Sequence, residues 1–406
     1  MPRTRIALVS IALALIAVQA RAVEPRWKKH DINARSVFEC AGVLDADNDG
    51  KLDIVSGDTW YNAPDWKPYP VRKVAQVGTY RNDFANIPMD VNGDGKMDFI
   101  TCSYFDKNVG WVENPGKKGE PWIYHEIDRP GKIEAAVMVD VDGDGQLDIL
   151  PNSVNVVAWY SPGALTMNGD KGTRVWKKHD FGTAAAGHGV GTGDVNGDGR
   201  VDLLTPKGWF EAPTDPKAAA TWPWHPDWDL KVSGIQILAR DVDGDGLSDL
   251  IHGMGHAFGL YWRKQGKGPG GERTWTKAPI DESFSSVHTL LWADLDSDGK
   301  ADEMITGKRV YAHEIEAGDV EAPVIAYFTF DRAGKKWDRH VIFQGEAAKD
   351  APKEGPKRDA QKDFPPGTAG TGLEITAVDI DKDGDVDLVC PGKSGLYLFE
   401  NLTRSK

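Results

Sequence analysis

The pattern D-x-[DN]-x-D-G-x-x-D occurs seven times in this chain, and nothing else in the sequence limits its fold as strongly. The copies are DADNDGKLD at 45, DVNGDGKMD at 90, DVDGDGQLD at 140, DVNGDGRVD at 194, DVDGDGLSD at 241, DLDSDGKAD at 294 and DIDKDGDVD at 379. Successive copies start 45, 50, 54, 47, 53 and 85 residues apart. Periods of this size mark one supersecondary unit repeated along the chain, each unit packing on the next.

The motif carries the chemistry of a hard cation. Carboxylates at loop positions 1, 3 and 5 converge on one point, a glycine at position 6 permits the sharp turn, and the carbonyl at position 7 adds a ligand. The candidate calcium ligands are Asp45, Asp47, Asp49 and Asp53, then Asp90, Asn92, Asp94 and Asp98, then Asp140, Asp142, Asp144 and Asp148. They continue with Asp194, Asn196, Asp198 and Asp202, then Asp241, Asp243, Asp245 and Asp249. The last two sets are Asp294, Asp296, Asp298 and Asp302, and Asp379, Asp381, Asp383 and Asp387. No Glu closes the loop at position 12, and short apolar runs such as DIVSG, DFITC and DLIHG follow it. These are therefore expected to be calcium loops between two strands, taking up to seven Ca²⁺. Seven such ions would cancel the formal charge of −14 at pH 7. That negative balance speaks against nucleic acid and anionic membranes as partners.

Two aromatic patterns share the period. One runs TWYNAP, GWVENPG, VAWYSPG, GWFEAP, GLYW and GLYLFEN; the other runs WIYHEI, WKKHDF, WTKAPI and WDRHVI. Eleven of the 15 tryptophans lie in these two patterns, so they are expected to pack between neighbouring units rather than form a sugar-binding stripe. Each unit then has four strands: one before the acidic loop, one after it, and the two aromatic ones. The last unit stops at its third strand, and WKKHDIN, residues 27–33, supplies a fourth at the other terminus. The expected fold is all-β, a seven-bladed β-propeller of four-stranded blades, closed by the N-terminal strand pairing into the last blade. Residues 23–406 are expected to form this single domain.

On these loops and aromatic elements the chain resembles the FG-GAP/VCBS repeat family of calcium-binding seven-bladed propellers, over roughly residues 27–402. Through WKKHDI and TWYNAP it is also similar to the propeller part of the aldos-2-ulose dehydratases, whose cupin portion is absent here. The second resemblance implies a sugar lyase or dehydratase activity.

Six residues of strand separate the two ends by roughly 20 Å. The residue six before each loop should therefore lie on the face opposite the calcium. Those residues are Glu39, Phe84, Glu134, His188, Ile235, His288 and Leu373. The turns between second and third strands emerge on the same face, with Lys207, His252, His256, Lys308 and Lys393 among them. Unlike the loops and aromatics, these positions differ from unit to unit, as a site assembled from separate blades would. The candidate catalytic residues are His188, His288, Glu134, Glu39, Arg81 and Lys207. His188 or His288 would act as base, Arg81, Lys207 or Lys308 would neutralise an oxyanion, and the two glutamates would orient the histidine or hold hydroxyls. Glu134, His188 and His288 also offer the donors of a zinc or manganese site at the channel mouth. Two long segments, 308–323 and 345–370, are expected over this face.

No G-x-S-x-G, H-E-x-x-H, Gly-rich phosphate loop or CxxC pair is present. Residues 1–22 read as a signal peptide, with Arg3 and Arg5 before an apolar run too short to span a bilayer. The chain is thus expected to be exported, periplasmic or extracellular, with no membrane span. The odd cysteine count, Cys40, Cys102 and Cys390, leaves pairing open. The function that the resemblance and the candidate residues together imply is carbohydrate lysis or dehydration by β-elimination. The alternative is a non-catalytic propeller that binds a glycan or a protein partner, through surface aromatics such as Trp66 or Trp228.

Overall fold

The computed structural model describes residues 23–313, 316, 318–349 and 358–404. The expected signal peptide, 1–22, lies outside them. After each acidic loop the apolar run forms a short strand buried on both faces, as in Asp53–Ser56, Asp98–Cys102 and Asp202–Thr205. A strand covered on both sides needs apolar residues without alternation, which is what these runs supply.

The strands form antiparallel meanders in chain order, and the arrangement is that of a β-propeller. Five of them stand as separate four-stranded sheets among the described residues. A sixth sheet has eight strands. Seven separate blades were expected. The difference arises where Val190–Gly193 pairs in parallel with Ser233–Arg240, placing Gly191 beside Ile237 and joining two meanders. The approach is so close that a Cβ on Gly191 would lie 1.8 Å from the Ile237 carbonyl oxygen. The glycines of GVGTG permit this contact.

The N-terminal strand Trp27–Asn33 pairs antiparallel with Leu396–Asn401, from Trp27 opposite Asn401 to Asn33 opposite Leu396. It completes the four-stranded sheet whose other members are Asp387–Cys390 and Thr376–Val378.

The aromatic patterns are packing elements. Trp60, Trp159 and Trp209 are essentially fully buried. The recurrent histidine of the second pattern lies directly across from the ring of the first. Trp111 faces His125, Trp159 faces His179, Trp209 faces His225 and Tyr327 faces His340, with stacked rings 3.8–4.5 Å apart. Trp228 is also buried, with its indole N–H donating to the Thr205 carbonyl at 2.9 Å, so it is not the surface aromatic the sequence suggested. Cys40, Cys102 and Cys390 are buried free thiols.

The aspartate at loop position 9 ties loop to sheet. Asp202 accepts from the Val195 and Ala212 N–H groups, each at 2.8 Å, and Asp98 and Asp387 do the same in their units. The unit at 294 departs from this. Asp302 is exposed, and Glu303 accepts from the Leu295 N–H at 2.8 Å in its place. The longer side chain of Glu303 reaches back across a strand that begins one residue later.

Part of the long 345–370 segment is docked. Asp359 caps the short helix Ala360–Asp363, and Ala360 and Phe364 pack on Val310 and Tyr311. Gln361 Nε2 donates to the Ser36 and Lys393 carbonyls at 3.0 and 2.9 Å.

Candidate functional site

On one face the acidic loops are held in a repeated form. The position-1 aspartate accepts from the N–H of the position-6 glycine, as Asp45 does from Gly50 at 2.8 Å and Asp194 from Gly199 at 2.8 Å. This turns the following carboxylates inward. Oxygens of Asp45, Asp47 and Asp53 lie within 4.8 Å of one another, as do those of Asp140, Asp142 and Asp148, and of Asp241, Asp243 and Asp245. Asp47 Oδ1 and Asp243 Oδ1 are buried without a hydrogen-bond partner. An all-oxygen donor set with orphaned buried oxygens fits a calcium ion. Lysines lie against several of these carboxylates, among them Lys118 on Asp47 and Lys217 on Asp142 at 2.5 and 3.0 Å.

The other face holds a cluster built by several sheets. Arg309, in the turn after Glu303–Gly307, is fully buried. Its guanidinium donates Nε and Nη2 to Glu39 at 2.7 and 3.1 Å, and Nη1 to Glu134 Oε1 at 2.9 Å. Glu39 precedes the first strand of one sheet, Glu134 lies in the first strand of another, and Arg309 comes from a third. One cation thus spans three units, and both carboxylates are 5 % exposed. The three side chains form a buried ion network. Removing charges from water is tolerable here because each charge has a partner with direct hydrogen bonds.

The second oxygen of Glu134 lies 3.1 Å from His188 Nε2, close enough for an ion pair but off the line of a hydrogen bond. His188 Nδ1 is 2.6 Å from the Ser233 carbonyl. Burial disfavours a charged His188, but Glu134 and the Ser233 carbonyl outweigh it and raise its pKa. Burial would likewise raise the Glu134 carboxyl, but His188 and Arg309 hold it well below the usual range. Three further imidazoles complete the cluster. His288 is fully buried, with Nδ1 3.1 Å from the Ser286 carbonyl. His256 sits with Nδ1 3.3 Å from Glu316 and Nε2 3.3 Å from His313 Nε2. His313 Nδ1 lies 2.9 Å from the Tyr80 hydroxyl, which donates to the Ala312 carbonyl at 2.9 Å. Burial, reinforced by neighbouring positive charge, lowers the pKa of His288, His256 and His313, that of His313 to about 4. Within the cluster the shifts thus run in opposite directions, upward for His188 and downward for the other three imidazoles.

Of the sequence candidates, the structure brings together His188, His288, Glu134 and Glu39. Lys207 lies outside the cluster: it is exposed and donates to the Ala184 carbonyl at 3.1 Å. Lys308 is buried but turned away, its ammonium on Ser285 and the Gly318 carbonyl. His252 also points elsewhere, accepting from Arg263 Nε at 3.2 Å. Arg81 lines a neighbouring cavity of about 500 Å³, with Tyr311, Arg358, Gln361, Lys362 and Lys393. Lys393 connects that cavity to the cluster, because its ammonium sits 4.1 Å over the Tyr80 ring. Arg309, His313, Glu316 and Tyr80 were missed. Arg309 is adjacent to Lys308 in the same turn, and which of the two faces inward is set by the turn's conformation. Tyr80 lies in the two-stranded hairpin of Gln76–Val77 and Tyr80–Arg81, and His313 in the irregular turn after Glu303–Gly307.

Residues 90–150 match the model of the FG-GAP-like repeat. A search of curated proteins finds no match. Among solved structures, the chain is similar to an exotype rhamnogalacturonan lyase, YesX, with a TM-score of 0.45 and 12 % identity, over 94 % of this chain and 75 % of that one. It is also similar to a luciferin-regenerating enzyme, with a TM-score of 0.40 and 11 % identity, over 78 % of this chain and 94 % of that one. Similarities this distant carry no argument about chemistry. No helix among the described residues is long and apolar enough to cross a membrane.

Proposed function

We propose that this chain is an exported, calcium-binding propeller that lyses or dehydrates carbohydrate by β-elimination on the face opposite its acidic loops. In this reading the eight-stranded sheet is two blades, and the ring has seven blades closed by Trp27–Asn33. The observation that carries the catalytic reading is the convergence of His188, His256, His288, His313, Glu134 and Tyr80 from several sheets beside a basic cavity.

β-Elimination removes a proton next to a carbonyl or carboxylate, shifts its electron pair towards that group, and expels an oxygen leaving group from the β carbon. A neutral imidazole can take the proton, and the partly exposed His313 is such a group. The Tyr80 hydroxyl, bonded to His313, can return a proton to the leaving oxygen. Arg81 and Lys393, on the cavity wall, supply positive charge for the enolate or a sugar carboxylate. Arg309 is not assigned that task, since Glu39 and Glu134 already engage its donors.

The test is to incubate the calcium-loaded protein with uronic-acid polysaccharides and keto-sugars and follow unsaturated product by absorbance and mass. Product that is lost in His313→Ala supports elimination at this face. Binding of a sugar without any product would favour the second reading, a recognition propeller for a glycan or a protein. That alternative draws support from the self-contained pairing of Arg309, which would suit a purely structural plug.

A further inference from the structure

We propose that His188, His256 and His288 form a binding site for one divalent transition metal of the zinc class. Ligand atoms of the three rings lie within 4.8 Å of one another. Their centroids are 4.9, 5.3 and 5.6 Å apart.

The outer nitrogens define the inner ones. His188 Nδ1 and His288 Nδ1 each face a backbone carbonyl, from Ser233 and Ser286. A carbonyl only accepts, so each Nδ1 carries the hydrogen, and in the neutral ring Nε2 is left with a lone pair. His256 Nδ1 faces the Glu316 carboxylate in the same way. Metal-binding histidines are held like this, with the outer N–H on a carbonyl or carboxylate fixing tautomer and ring orientation.

The inner nitrogens lack what they need. His288 is fully buried, and its Nε2 has no hydrogen-bond partner; His188 Nε2 has none in good geometry either. A proton on His188 would pair with Glu134 but would leave the His288 lone pair facing other rings. A metal ion between the rings satisfies both of these nitrogens. Zinc held at about 2.0–2.1 Å by tetrahedral ligands places them about 3.3 Å apart, within reach of small side-chain rotations from the present positions.

Donor chemistry separates this ion from calcium. Imidazole nitrogen suits zinc and its neighbours, whereas calcium takes oxygen, which the loops on the opposite face provide. His313 Nε2, 3.3 Å from His256 Nε2, and Glu134 Oε2, 3.1 Å from His188 Nε2, flank the position. Glu134 acts as a positioning residue, itself fixed by Arg309. The expected donor set of Glu134, His188 and His288 is thus revised, with His256 in place of the carboxylate.

This site uses the same cluster as the β-elimination reading, but its test does not depend on activity. The full chain is stripped with chelator, returned to excess calcium, and titrated with Co²⁺ followed by visible absorption and with Zn²⁺ followed by metal analysis. The expected result is about one equivalent bound beyond the calcium loops, with ligand-field bands of a nitrogen-rich site of low coordination number. His288→Ala and the more exposed His256→Gln should each weaken binding by about 100-fold. Absence of those bands in the wild-type protein overturns the proposal, as does equal uptake by either folded variant. Uptake without product from any sugar upholds this site and removes the elimination reading. Product from a protein that takes up no transition metal does the reverse.

Discussion

Arg309 decides how the buried face is held together. A guanidinium with no solvent contact keeps its charge, and Glu39 and Glu134 offset the cost of burying it. Glu39→Gln leaves that charge half-compensated, so we expect a loss of about 3–5 kcal/mol of stability, measured by denaturant unfolding in calcium. Arg309→Met removes the charge but strands two carboxylates, and should cost a similar amount. Glu374 behaves oppositely. It is enclosed near Asp83 with one oxygen unpartnered, and burial first, then Asp83, pushes its pKa up to about 8. The folded state holds this proton more tightly than the unfolded chain does. Its contribution is therefore complete below the unfolded value near 4.5 and is lost as pH rises through about 8. Melting curves of the wild type and Glu374→Gln should converge at low pH, with the variant gaining relative stability up to about pH 8. Parallel curves would contradict this assignment. His188 and Glu134 were legible from sequence because a fixed offset from a repeated loop specifies their position. Arg309 was not, since a turn residue follows local backbone torsions that no period sets.

At the scale of the elements, the repeat explains most of what the strands do, and its exceptions are informative. The cross-strand ring pairs follow from two patterns at constant phase, although the role of the recurrent histidine emerged only from the register that sets His179 against Trp159. The unit at 294 reads as an ordinary copy, yet its sheet anchor has moved from Asp302 to Glu303. Glu303→Gln should cost about 1–3 kcal/mol, because it weakens the buried bond to the Leu295 N–H. Asp302→Asn should be nearly neutral. The reverse order, measured by thermal melting, would show that the motif's original register holds in this unit too. The joined eight-stranded sheet was not legible, because parallel pairing between neighbouring first strands depends on the close approach at Gly191 rather than on any apolar pattern.

Across the whole molecule, the proposal sets calcium in the acidic loops on one face and a cluster of imidazoles on the other. Ions bound only by the folded chain stabilise it by mass action. Chelation should therefore lower the melting temperature and calcium should restore it; an unchanged melt in excess chelator would remove the loops from the metal inventory. Pairing of Trp27–Asn33 with Leu396–Asn401 covers a sheet edge, so deleting residues 27–33 should yield an aggregation-prone protein. The repeat made the overall architecture readable from sequence. The irregular turns and the docked 358–364 segment were not, because no repeat sets their conformation. The most direct measurement compares product formation by the wild type, His313→Ala and His179→Ala on the same acidic and keto-sugar panel. Replacing His313, in the cluster, should abolish turnover, and replacing His179, stacked on Trp159, should leave it intact. Equal activity in all three proteins, or none in any, would contradict this.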